Sequence, residues 1–182
     1  NGQTLSGLTD SYRSLITGTL FTIGGVAIPR YVLYAVILTA VMWVIWNKTT
    51  FGKNLYAVGG NPEAAAVSGI SVFGVTMGAF ILAGILYGFG SWLECARMVG
   101  SGSAAYGQGW EMDAIAACVV GGVSFTGGIG KISGVVVGVL IFTVLIYSLT
   151  ILGIDTNLQF VFEGIIIITA VTLDCLKYVQ KK

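Results

Sequence analysis

Residues 56–70 read Tyr-Ala-Val-Gly-Gly-Asn-Pro-Glu-Ala-Ala-Ala-Val-Ser-Gly-Ile, a compact, partly polar stretch between two long apolar runs, 28–46 and 72–98. Gly59 and Gly60 can take backbone angles closed to other residues. Asn61-Pro62 is a helix-start signal, with Asn61 as N-cap and Pro62 at the first helical position. Glu63 then falls in the first turn, where the helix dipole favours a carboxylate. Ala64, Ala65 and Ala66 are strong helix formers, and Gly69 ends the piece after about two turns. The pattern predicts a short, capped helix on a hydrophilic loop between two greasy walls. Its small residues suit close contact with a partner surface. Local physics alone leaves open a helix that merely connects.

Working outward, the 182-residue chain is 55% hydrophobic and only 9% charged, with a mean hydropathy of +0.90. Soluble domains carry about 25% charged residues, so the composition predicts a membrane protein. The net charge of +1 offers no basic face for nucleic acid. There is no histidine, which removes the commonest general base and metal ligand. Cys95, Cys118 and Cys175 lack metal-ligand spacing and read as small buried hydrophobes. No metal and no cofactor is expected. The chain opens at Asn1 without a signal peptide, and we expect the later part of a longer membrane protein.

Leu5, Leu8, Tyr12, Leu15 and Ile16 recur at helical spacing, predicting a helix that lies on a surface. Gly24-Gly25 and Pro29 then break the chain. Residues 28–46 make a first crossing of about 28 Å. Tyr31 and Tyr34 mark one end, Trp43 and Trp46 the other. Lys48 and Lys53 follow, so the positive-inside rule puts 56–70 in the cytoplasm and 1–27 outside. That topology also puts the glycosylation-like Asn47-Lys48-Thr49 on the wrong side for modification.

Residues 72–98 cross next, with Gly74/Gly78 and Gly84/Gly88 as small pairs for close helix packing. Glu94 and Arg97 stand three apart on one face and can pair. Residues 100–109 make an outer loop. Residues 111–124 are apolar but reach only about 21 Å as a helix, the length of a re-entrant or broken segment. Residues 133–152, with Gly134 and Gly138, and 158–173 complete the crossings. Lys131, Lys177, Lys181 and Lys182 fall on the same side as Lys48. The expected fold is an all-α membrane protein. It is a polytopic helix bundle with one short broken or re-entrant helix and a cytoplasmic helix at 56–70. Residues 1–27 form an extracytoplasmic segment, and 28–182 the transmembrane part.

Residues 121–131 mimic a phosphate loop, but Gly130-Lys131 is followed by Ile132 and Phe125 occupies the first glycine position. A tight turn between membrane helices is the better reading. Glu94, Arg97, Glu111, Asp113 and Glu163 are candidates for a translocation path, because ionisable groups within a bilayer are costly. Glu111 and Asp113 read as membrane-edge residues, and Glu163 is open. None has the neighbours that nucleophilic catalysis requires.

Glu63-Ala64-Ala65-x-x-x-Gly69 resembles the Glu-Ala-Ala-x-x-x-Gly signature of bacterial ABC-importer permeases. The Ile-x-Leu-Pro that closes the longer signature in many importers is absent; residues 80–83 read Phe-Ile-Leu-Ala. That departure fits the branch that imports monosaccharides. Residues 52–65 and 111–130 are similar to that branch, above all to its permeases for galactose and methyl galactosides. The resemblance runs from about residue 30 to the end and implies a chain of nearly twice this length. It also implies that Gly59, Gly60, Asn61, Pro62, Glu63, Ala64, Ala65 and Gly69 form a cytoplasmic coupling helix that docks on an ABC ATPase subunit. A second permease copy, an extracytoplasmic sugar-binding protein and the lipid of a bacterial inner membrane are the other implied partners.

Two rivals compete with this reading. A proton-coupled secondary transporter would relay protons through Glu94, Asp113 or Glu163. A channel would use the short 111–124 segment. Permeases for ribose, xylose or arabinose share the motifs. The topology has a direct test: a cysteine at position 64 should resist an impermeant thiol reagent added to intact cells and react once the membrane is opened. Labelling from outside would place the helix on the wrong face.

Overall fold

The computed structural model describes residues 10–98 and 106–179. Eight helices and one hairpin follow one another among them: α1 (Asp10–Thr17), β1 (Thr19–Ile23), β2 (Val26–Pro29), α2 (Arg30–Lys48), α3 (Thr50–Gly60), α4 (Pro62–Val67), α5 (Val72–Arg97), α6 (Trp110–Val120), α7 (Ile132–Ile151) and α8 (Thr156–Val179). α2, α5 and α7 are long and apolar enough to cross a membrane, and α8 carries a further apolar stretch, Thr156–Thr172. At 26 residues, α5 reaches about 39 Å, while the 11 residues of α6 reach only about 16 Å. The molecule is a polytopic helical membrane protein, as the composition predicts.

The chain divides into two compact units, Asn1–Val44 with Thr76–Gly107 and Ile45–Val75 with Gln108–Lys182. In the first, α1 is held at one end of α2 and α5 by aromatic contacts. Tyr12 packs its ring 6.0 Å from that of Trp92 and donates its hydroxyl to the Trp92 carbonyl. Tyr34 donates to the Leu15 carbonyl at 3.1 Å, and Ile16 is fully buried. Leu15 of the proposed stripe is exposed; Leu5 and Leu8 lie outside the described residues. The break at Gly24-Gly25 is the turn of an antiparallel hairpin, with Ile23 paired to Val26 and both glycines at positive φ. No alternation distinguishes it from a loop in the sequence.

In the second unit, Thr49 ends α2 and caps α3, accepting from the Gly52 amide at 3.2 Å. α3 is a correction to the loop expected before Asn61. Gly59 and Gly60 close this helix rather than supplying unusual backbone angles. α6, α7 and α8 pack together around Ala116, Ala117 and Phe142. α6 crosses α7 on bare backbone. A Cβ on Gly138 would sit 2.2 Å from the Ala117 carbonyl oxygen, and one on Gly134 2.3 Å from that of Gly121. Gly84 and Gly88 of α5 meet nothing within 4 Å among the described residues. The cysteines also depart from expectation, since Cys95 and Cys175 are exposed and Cys118 is half-buried.

Gly138→Ala decides whether contact or propensity rules. Alanine is the better helix former by about 1 kcal/mol, but its methyl collides with backbone, which costs about 1–3 kcal/mol. Unfolding of the full-length protein in detergent should therefore show a net loss of stability. A gain would mean that the crossing is looser than described.

Candidate functional site

The 56–70 stretch contains two helices that share one residue at their junction. Asn61 lies in extended conformation, with φ −157° and ψ 101°. Its amide donates to the Ala57 carbonyl at 3.0 Å, closing α3. Its side-chain Oδ1 accepts from the Ala64 amide at 3.0 Å, opening α4. Pro62 occupies the first turn, and Glu63 follows it. Such a cap satisfies an amide with no helical partner and contributes about 1 kcal/mol. At the far end Gly69, with φ +80°, lets Ile70 donate back to Ala65 at 3.0 Å. A side chain at that angle would be strained. Ala65 is buried, whereas Glu63, Ala64, Ala66 and Val67 are exposed, Val67 at 91%. The short rod thus presents an acid and small apolar groups on its open side.

The base of this rod sits on the loop after α6. Tyr56 donates its hydroxyl to the Gly130 carbonyl at 2.7 Å. A Cβ on Gly59 would lie 2.7 Å from the Gly128 nitrogen. The loop is closed by the Ser124 amide bonding to the Ile129 carbonyl at 3.0 Å, and by Ser124 and Thr126 joining hydroxyls at 2.7 Å. Tyr56, Gly127, Gly128 and Gly130 carry no signal for this role in the sequence. The glycines read there only as a turn.

The ionisable candidates fall into pairs. Arg97 grips Glu94 with Nη2–Oε1 at 2.6 Å and Nε 3.0 Å from each carboxylate oxygen. Tyr106 donates to the same carboxylate. That arrangement is satisfied and partly exposed. Glu163 of α8 is 5% exposed and lies against the carboxyl of Asp113 on α6. The Asp113 Oδ1 atom is buried without a hydrogen-bond partner. Asp113 is thus half-buried beside Glu163, while Glu111 is exposed. Near them Gln159, also buried, donates to the Ile154 carbonyl at 2.9 Å and so fixes the start of α8. Among the described residues no group of three metal-ligating side chains forms.

Three comparisons bear on this geometry. A family model described as branched-chain amino acid transport system / permease component matches residues 2–171. The chain is 61% identical over 165 residues to the galactose/methyl galactoside import permease protein of Treponema pallidum (strain Nichols), covering 91% of this chain and 30% of that one. It is 48% identical over 178 residues to the Escherichia coli (strain K12) protein of the same name, covering 98% and 52%. It is 38% identical over 174 residues to the ribose import permease protein of Bacillus subtilis (strain 168), covering 96% and 53%. The chain spans about half the length, or less, of these curated relatives. No solved structure matches.

The acid pair makes a signed prediction. Two carboxyls side by side repel when ionised, and an orphaned buried acceptor costs about 1–3 kcal/mol. Glu163→Gln removes one charge and gives Asp113 a donor. Its unfolding midpoint in detergent should rise; a fall would mean that the carboxylate is held by a further partner.

Proposed function

The chain belongs to the family of branched-chain amino acid transport system / permease components, and on that premise we propose that it forms the coupling and translocation helices of an ATP-driven sugar importer. The family description speaks of branched-chain amino acids, whereas the similar relatives are named for galactose and methyl galactosides. The higher identity to those relatives than to the ribose permease favours a galactose-type substrate. Residues 28–182 are the transmembrane part, 1–27 an extracytoplasmic segment, and 56–70 the cytoplasmic coupling loop. The partners are an ABC ATPase subunit, a second permease copy and an extracytoplasmic sugar-binding protein in a bacterial inner membrane. The chain has no catalysis of its own; the ATPase supplies the energy.

The observation that carries this reading is α4 itself. It is capped by Asn61 at one end and closed by Gly69 at the other, and it exposes Glu63, Ala64, Ala66 and Val67. A rod this short cannot stand alone as a helix. Its caps and its seat on α3 hold it in shape with nothing covering its open side. Small exposed residues allow a cleft on another protein to close around it.

Mechanically, ATPase closure would push α4, and the push would reach the membrane helices as a rigid displacement. α6 is too short to cross a bilayer by itself, so any of its end groups that lie within the membrane need protein partners rather than lipid. Gly122, at φ +82°, lets Val123 donate to Cys118 at 3.0 Å. A broken helix finished in this way can border an aqueous path without exposing unpaired backbone to lipid. A second reading rests on the buried Asp113–Glu163 pair. A proton-coupled transporter would use it as a relay and would need no ATPase.

Reconstitution separates the two. The full-length permease should take up galactose or methyl galactoside only with its ATPase, its binding protein and ATP. Glu63→Arg should lower uptake about tenfold or more while leaving membrane insertion intact, since it reverses the charge in the docking turn. Normal uptake and ATPase association in that variant would overturn the docking role. Uptake driven by a pH gradient without ATPase would favour the secondary transporter.

A further inference from the structure

Coupling needs more than a handle; it needs a stiff connection behind it. α4 is tied to α3 through Asn61, which closes one helix and caps the other with no residue between. α3 in turn meets the 121–131 loop at two points on one face, because residues 56 and 59 stand three apart. At Gly59 the meeting is backbone on backbone. A Cβ there would lie 2.7 Å from the Gly128 nitrogen, one on Gly127 2.4 Å from the Gly59 carbonyl oxygen, and one on Gly128 2.7 Å from the Gly60 Cα. At Tyr56 it is the 2.7 Å hydrogen bond to the Gly130 carbonyl. One point alone would allow rotation, and two fix the angle.

The series continues into the membrane helices. Gly121 ends α6 against α7, where its Cβ would lie 2.4 Å from the Gly134 carbonyl oxygen. Gly138 seats the preceding turn, Ala117, in the same manner. A side-chain contact can yield by changing rotamer. Backbone contacts have no such freedom, so at Gly59, Gly121 and Gly138 a displacement cannot be absorbed by a change of rotamer.

Resting on the coupling reading above, we propose that Tyr56, Gly59, Gly127 and Gly128 are positioning residues of the transport cycle. They join the coupling rod to the loop after α6, so that a push on α4 arrives at the end of the short helix and the start of α7. This assigns the glycine-rich loop a mechanical role in place of a turn that only reverses the chain.

The test uses the full-length permease assembled with its ATPase. Spin labels on cysteines at Lys53 and Ile129, both exposed, report the separation of α3 from the loop. A rigid joint gives the same separation in nucleotide-free and ATP-bound complexes; a separation that changes with nucleotide overturns it. Tyr56→Phe keeps the ring and removes one hydroxyl. It should retain ATPase binding but lower sugar transported per ATP hydrolysed about fivefold, the scale of one lost hydrogen bond. A ratio unchanged in both Tyr56→Phe and Gly128→Ala overturns the joint. A permease that binds no ATPase overturns instead the coupling reading on which the joint rests.

Discussion

Where α6 crosses α7, a methyl group has no place to go. Gly134 and Gly138 of α7 face the carbonyls of Gly121 and Ala117 at distances only a missing Cβ allows. In a bilayer the hydrophobic effect does not drive helices together, so association rests on close packing and on hydrogen bonds. This contact supplies the packing. It also covers the last turn of α6, a helix too short to span a bilayer by itself. With α6 held there, Asp113 is carried beside Glu163 and the loop after α6 is held against α3.

The same logic explains why residues 50–67 form two short helices instead of one long one. A continuous helix from 50 to 67 would carry α4 straight on from the membrane helix. Asn61 and Pro62 break the axis, and Asn61 pairs groups on both sides of the break, donating its own amide to Ala57 and accepting that of Ala64. The chain gains a bend, and the small residues of α4 stay open. At the far end, Gly69 turns the chain back toward α5 in two residues.

The two ionisable pairs show how one carboxyl chemistry takes opposite forms. Glu94 has a guanidinium and a phenol around it and is satisfied where it stands. Glu163 has another acid, and one oxygen of that acid has no donor among the described residues. Such a pair adds little to stability, since an apolar or amide substitute would pack as well.

The sequence by itself determined where the membrane helices lie. The predicted spans 28–46, 72–98, 133–152 and 158–173 meet α2, α5, α7 and α8 within a few residues at most ends, because hydropathy acts residue by residue and needs no partner. It also determined the capped helix at Asn61 and Pro62, since capping is local. α3 was not legible: its glycines give it weak propensity, and it forms where Thr49 caps it and the 121–131 loop supports it. Neither was the role of Gly59, read as conformational freedom but required for closeness to residues nearly seventy positions away. The meeting of Asp113 with Glu163 was equally hidden, because it arises only when α8 packs on α6. Those outcomes belong to tertiary structure because each depends on which surfaces meet, and no local pattern records its distant partner.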